Sequence, residues 1–494
     1  MSRSTAERFD VDRAGLVAAL RRVLPAEAVL DHAEDLRPYE CDGLSAYRQL
    51  PLAVALPRDA DEVAAVLAAC REFGAPVVAR GAGTSLSGGA LPHRDGVVLS
   101  LARLNRILAI DPANRTARVQ PGVRNLAISE MAKGYGLYYA PDPSSQITCS
   151  IGGNVAENAG GVHCLKYGLT VHNIVQVELL TVDGERLTFG TDGPDAPGYD
   201  LLALLIGSEG MLGVVTEITV KLLPLPACAK VVLGAFDSVS DAGDAVSRII
   251  AAGIIPGGLE MMDGPAIKAA EDFVHAGYPV DAQAILLCEL DGTVAEVDAQ
   301  IDQVREIMQA CRAREVRVAR DEAERAAFWS GRKNAFPAVG RLSPDYYCMD
   351  GTIPRRHLTR VLEGITALSA EYGLPVANVF HAGDGNLHPL ILYDANNPGE
   401  LERTEELGGK ILELCVEVGG TITGEHGVGV EKIDQMCVQF SPEEIAQFHA
   451  VKAALDPRGL LNPGKAIPTL ARCSELGGMH VHAGQLPFPE IERF

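Results

Sequence analysis

Apolar positions in the first half of the chain fall into short runs separated by helical stretches. PLAVALP, from Pro51, reads as a buried strand. Residues 61–73 carry Ala, Val and Leu at helical spacing and predict a helix. PVVARG reads as a second short buried strand ending at Gly81. After a helical lead-in over 12–50, the chain therefore opens on a β-α-β unit of α/β type. Strand-like pieces follow in GVVLSL, RILAID and RTARVQPG, then a helix over 125–135 and strands over 174–182 and 213–223. KLLPLPACAK interrupts this pattern with two prolines and predicts a domain boundary near Pro224–Pro226. Beyond it, strands such as 284–290 alternate with amphipathic helices over 294–311, 358–372 and 401–418. That mixture predicts an α+β domain with an antiparallel sheet. A last helix, 442–455, runs into DPRGLLNPGK, and the tail after Pro468 has no clear period. The expected division is 1–49, 50–226, 227–468 and a tail over 469–494.

Composition narrows the function classes. The net charge is −22, from 43 basic and 65 acidic residues. So negative a surface repels nucleic acid and an anionic membrane, which leaves membrane contact to partners. No uninterrupted apolar run, Leu201–Ile206 among them, approaches the roughly 18 residues that a transmembrane helix needs. MSRSTAERFD lacks a positive segment followed by an apolar run, so a cytoplasmic protein is expected. Eleven cysteines with no C-x-x-C spacing argue for reduced thiols and against a disulfide framework, a zinc ribbon or an internal iron–sulfur cluster. Glycine is over-used at 51 of 494 residues, and its clusters carry the first chemical signal.

RGAGTSLSGG, from Arg80, follows a predicted strand, where backbone amides can face an anion. It is neither G-x-G-x-x-G, because Leu86 replaces the third glycine, nor a Walker A loop, because Gly89 stands where lysine is required. SIGGNVAENAGG, from Ser150, is read as a second loop at a strand end, with PDPSSQ between them from Pro141. Each could be a tight turn. Together they suit a dinucleotide pyrophosphate, which needs close backbone approach.

VANVFHAGDGNLHPLILY is the sharpest signal. Asp384–Gly385 predicts a two-residue hairpin turn pairing His381 directly with His388, which places two imidazoles on one face. TGEHG supplies Glu425 beside His426. Two histidines and a carboxylate suit zinc, manganese or iron. In FWSGRKNAF, Arg332 and Lys333 lie between Trp329 and Phe336. Arg332 is either a carboxylate clamp or part of a solvated helix face.

These stretches, together with PYECDGLSAYR, PGVRNLAIS, GVHCLKYGLTVHN, SPDYYCMDGTIPRR, GEHGVG and LLNPGK, resemble the FAD-linked oxidase family of the vanillyl-alcohol oxidase type. The resemblance covers nearly the whole chain. It implies a two-lobed FAD-binding domain over 50–226 and an α+β substrate and metal domain over 227–468. By resemblance, Arg80, Gly81, Ala82, Gly83, Thr84, Ser85, Gly88 and Gly89 hold the pyrophosphate. Pro141, Asp142 and Ser145, with Ser150, Gly152, Gly153, Asn154, Asn158, Gly160 and Val215, hold the isoalloxazine, and Asn462 and Lys465 approach it. His381, His388 and Glu425 match metal ligands, His426 a base and Arg332 a substrate-binding arginine. No covalent tether motif is present, so non-covalent FAD is implied. So is oxidation of a small 2-hydroxy acid, glycolate first and D-lactate next. 2-Hydroxyglutarate is disfavoured, because SPDYYCMDGTIP offers no second cation before Arg355. The rivals are a flavin-holding assembly subunit without turnover and a zinc hydrolase without flavin. The resemblance further implies an iron–sulfur subunit and a second FAD-domain-like subunit that carry electrons to the respiratory chain at the inner face of the cell membrane. The tail over 471–494 is the candidate docking element.

Overall fold

A computed structural model describes residues 8–193 and 198–469. The candidate docking tail lies outside them. A four-stranded sheet in the first half runs Val29–Leu30, Ala53–Ala55, Val97–Ser100, Val77–Arg80, with its last three strands parallel. The helix Ala60–Glu72 joins two of these strands. Asp59 caps it by accepting from the Glu62 amide at 2.9 Å, and Val63, Val66, Leu67 and Cys70 are buried. A second, antiparallel sheet of five strands includes Ile174–Leu180 and Val214–Lys221.

The second half is built on an eight-stranded antiparallel sheet. Its central strands Cys228–Phe236 and Ala284–Gly292 are apolar in both alternating registers because helices cover both faces. Val232, Met261, Cys288 and Phe380 face one core layer. Val231, Met262, Leu287 and Val379 face the other, which the helices Gly264–Val274 and Glu322–Lys333 complete. The α+β class with an antiparallel sheet is therefore what the chain adopts.

Three expectations are corrected. First, the His381 hairpin has a four-residue loop, with His381 opposite Asn386 and His388 opposite Val379. Gly385 adopts φ +85° and donates to the His381 carbonyl at 3.0 Å, which closes the wider turn. The register differs from the expected one by two residues, so the parity of facing survives and both histidines still share a face. Second, SIGGNVAENAGG does not form a second glycine loop at a strand end. Ser150 caps a helix, Ile151–Glu157, through the Gly153 amide, and buried Ile151 and Val155 outweigh the low propensity of glycine. Third, among the described residues nine cysteines are free thiols, but Cys437 is disulfide-bonded.

Candidate active site

Parity on the eight-stranded sheet assembles the site. Glu260, His381 and His388 all point to the face that the helix Glu322–Lys333 covers. The pairing of Met261 with Phe380 carries on to Glu260 opposite His381, and Glu260 Oε1 lies 2.9 Å from His381 Nδ1. Glu260 Oε2 accepts from Arg332 Nε at 2.8 Å. Both residues are buried, so Arg332 is not on a solvated helix face. Asp321 caps that helix, whose last turn delivers Arg332 inward. Arg332 Nη2 also lies 2.7 Å from Glu260 Oε2, so two guanidinium nitrogens meet that carboxylate at the cavity wall.

Glu425 arrives on the loop after the helix Glu400–Glu417. Its Oε1 lies 2.9 Å from His388 Nε2 and 3.4 Å from His381 Nε2, while its Oε2 is buried without a partner. Glu260 takes the Nδ1 hydrogen of His381, and the Met349 carbonyl lies 3.4 Å from His388 Nδ1. Both Nε2 atoms can then present lone pairs to Glu425, and a cation among them relieves the repulsion. Burial works against charge on His381, yet Glu260 and Glu425 raise its pKa well above the ordinary value. Burial likewise opposes ionisation of Glu425, but His381 and His388 hold its carboxyl well below the usual range. The site is thus anionic enough to hold a proton or a metal ion, and the donor set fits a divalent metal.

Cys348, His388 and His426 form a second group with converging distances. Its geometry is poorer. The His388 and His426 rings are stacked, 12° apart in plane, so their lone pairs run in parallel planes. The His381 and His388 rings stand at 87°. Burial also raises the Cys348 thiol well above its ordinary pKa, which disfavours the thiolate a metal needs. His426 is pushed down to about 4, chiefly by burial, and its Nδ1 has no hydrogen-bond partner.

One cavity joins this cluster to the glycine-rich segments. Arg80, Gly81, Ala82, Gly83, Thr84, Ser85 and Gly89 line it, as do Asp142, Ser145, Ser150, Gly152, Gly153, Asn154 and Val215, together with Arg332, His381, His388, Glu425 and His426. A Cβ on Gly81 would collide with the Ser150 side chain, so the two segments close on one another only because glycine stands there. Gly88, Pro141, Asn158, Gly160 and Asn462 stand behind this wall. The Pro141 carbonyl accepts from Asn125 Nδ2, which also holds Asn154. Asn158 caps its helix at φ +54°. Gly160 abuts Glu425, and Gly88 packs on Val430. Asn462 donates to the carbonyls of Gly89 and Glu209, and Lys465 reaches the Leu91 carbonyl.

Sequence reasoning missed four residues. Glu260 could have been flagged as a carboxylate inside the apolar strand GGLEMMD. Glu209 lines the cavity and accepts from the amides of Val428 and Gly429 at 2.7 Å, which ties the glycine-rich wall to the Glu425 loop. Phe336 and Tyr346 form an aromatic wall, with Phe336 6.0 Å from the His388 ring.

The family described as "FAD binding domain" matches residues 51–190, and "FAD linked oxidases, C-terminal domain" matches 225–466. The chain is 68% identical to the Escherichia coli (strain K12) protein described as glycolate oxidase subunit GlcD, over 98% of this chain and 97% of that one. It is 33% identical to a D-lactate dehydrogenase of Anaerostipes hadrus, over 82% and 87%. Its fold matches that of 4-ethylphenol oxidase from Gulosibacter chungangensis with a TM-score of 0.78 at 19% identity, covering 94% and 99% of the two chains.

Proposed function

The chain belongs to the FAD-linked oxidase family of the vanillyl-alcohol oxidase type, and from that premise we propose that it oxidises a small 2-hydroxy acid, glycolate foremost and D-lactate next, to the 2-oxo acid. The observation that carries this reading is the single cavity, walled by small residues at one end and by His381, His388, Glu425, His426 and Arg332 at the other. Within this reading, residues 50–226 bind non-covalent FAD and residues 227–468 bind substrate and metal.

FAD, when bound, supplies the hydride acceptor, and a divalent ion (zinc, manganese or iron) supplies Lewis acidity at the substrate hydroxyl. His381, His388 and Glu425 would hold the ion, and the small-residue walls from Arg80 and Ser150 would hold FAD. Arg332 binds the substrate carboxylate through the guanidinium N–H groups that Glu260 does not engage, which orients the acid. Neutral His426 accepts the hydroxyl proton. Phe336 and Tyr346 close the far side with apolar surface. This suits hydrogen or methyl on the carbinol carbon better than a second carboxylate.

The E. coli relative is described as a subunit, which supports a multisubunit assembly here. We assign the electron exit to an iron–sulfur subunit, with a second FAD-domain-like subunit alongside. The membrane is reached through those partners, since no helix among the described residues is long and apolar enough to cross it.

His388→Ala is expected to lose stoichiometric metal and substrate-driven flavin reduction while keeping FAD. Metal analysis and the flavin spectrum of the purified variant report both. Undiminished metal content would remove His388 from the ligand set.

A further inference from the structure

Glu425 and His426 are adjacent in sequence, yet both line the cavity. Neighbours on an extended chain point to opposite sides, so the backbone here must curl. It curls around one carboxylate. The amides of Gly424, Glu425 and His426 donate to Asp350 Oδ2 at 3.0, 3.2 and 2.9 Å, and Thr423 Oγ1 donates to the same oxygen at 2.6 Å. Successive amides facing one anion form a concave nest. In this protein the nest is filled by a side chain of its own. Asp350 is fully buried, just before the short strand Gly351–Thr352, and is not part of the cavity wall.

A buried cation backs the nest. Lys432 Nζ lies 3.5 Å from Asp350 Oδ2 and 3.1 Å from Glu431 Oε2, and it donates to the Gly427 carbonyl at 2.8 Å. Gly427 itself sits at φ +79°, where the loop turns away. Lys432 thus grips the far end of the curl that Asp350 grips at its start. A buried ion pair gives little net stability compared with apolar residues of the same volume. What this one supplies is a fixed path for five backbone units, two of which carry the chemistry.

We propose that Asp350, backed by Lys432, is a positioning residue that sets the direction of Glu425 and His426 together, and so governs metal affinity and proton acceptance at once. The inference rests on the reading of His381, His388 and Glu425 as metal ligands. Asp350 touches neither cavity nor substrate and acts only through the loop.

The test uses full-length, FAD-loaded protein. Asp350→Asn keeps the volume but loses the charge and sets an NH2 group among donors. Metal-stripped protein titrated with Mn²⁺ should show a dissociation constant raised about 10–100-fold. FAD content and spectrum should match the parent. At saturating Mn²⁺ and glycolate, single-turnover flavin reduction should stay at least about tenfold slow, because His426 is displaced as well. A lower melting temperature, with parental Mn²⁺ affinity and rate per loaded molecule, would show a fold-stabilising role and overturn the inference. If Asp350→Asn does not fold, Thr423→Val removes one donor and should weaken Mn²⁺ binding about two- to tenfold. Parental affinity in that variant overturns the inference too. A parent that takes up no stoichiometric metal overturns both this inference and the reading beneath it. A metal-binding parent with an unaltered variant overturns this inference alone.

Discussion

Glu260 does two jobs from one carboxylate, since one oxygen meets His381 Nδ1 and the other meets Arg332. Removing its charge should therefore weaken two kinds of binding together. Glu260→Gln is expected to lower metal affinity by about 10–100-fold, as is typical when the partner of a ligating histidine is lost. The same variant should raise the KM for glycolate, because Arg332 loses the anion that orients it. Metal titration and steady-state kinetics on one preparation check both, and a change in only one of them would split the proposed roles. His381 and His388 could be brought to one face from the sequence because hairpin parity survives a two-residue error in register, and Glu425 because TGEHG sets a carboxylate beside His426. Glu260 could not, because its role depends on which strand lies beside Val376–His381, and that strand is some 120 positions away. Arg332 was readable as a residue, but its burial came only from the packing of its helix against the sheet.

Among the elements, the histidine hairpin shows how backbone conformation serves the site. Gly385 occupies the left-handed region, and a Cβ there would collide with the Ile353 carbonyl. Gly385→Ala should cost about 1–3 kcal/mol of stability through strain and displacement of that neighbour. Thermal unfolding would show a lowered midpoint, and an unchanged midpoint would mean that the loop has another low-energy path. Most strands and helices of the α+β frame followed from apolar periodicity, including the helices Val294–Ala310 and Leu358–Tyr372. The segment from Ser150 misled because glycine composition argues for a loop, whereas a serine cap and two buried aliphatic side chains make it a helix.

Across the whole molecule, a polar junction ties the cavity loop after Pro141 to the eight-stranded sheet. His163 stands between Asp142, at 2.9 Å, and Glu289, at 3.2 Å, and Glu289 also receives Arg325 and Trp329 of the arginine-bearing helix. Burial disfavours the imidazolium, but Asp142 and Glu289 raise His163 to about 10. Burial also opposes ionisation of Glu289, yet His163 and Arg325 bring it down to about 2. The raised histidine contributes stability that is full below its unfolded value of about 6.5 and is lost as pH rises through about 10. The depressed carboxylate contributes stability that is full above its unfolded value of about 4.3 and is lost as pH falls through about 2. Melting temperatures of the parent and of His163→Gln should therefore differ most between about pH 4.5 and 6.5, and converge towards pH 10. A gap independent of pH would mean that His163 contributes by packing alone. This junction was not legible in GVHCLKYG, because it joins three distant segments across the two halves of the chain. The proposed reaction requires that glycolate deliver its electrons to a flavin held in this cavity. Anaerobic addition of glycolate to the purified, FAD-loaded, metal-replete protein tests that claim directly. The flavin absorbance should bleach, with D-lactate next in rate and D-2-hydroxyglutarate slowest. A flavin that stays oxidised with all three acids would contradict the account.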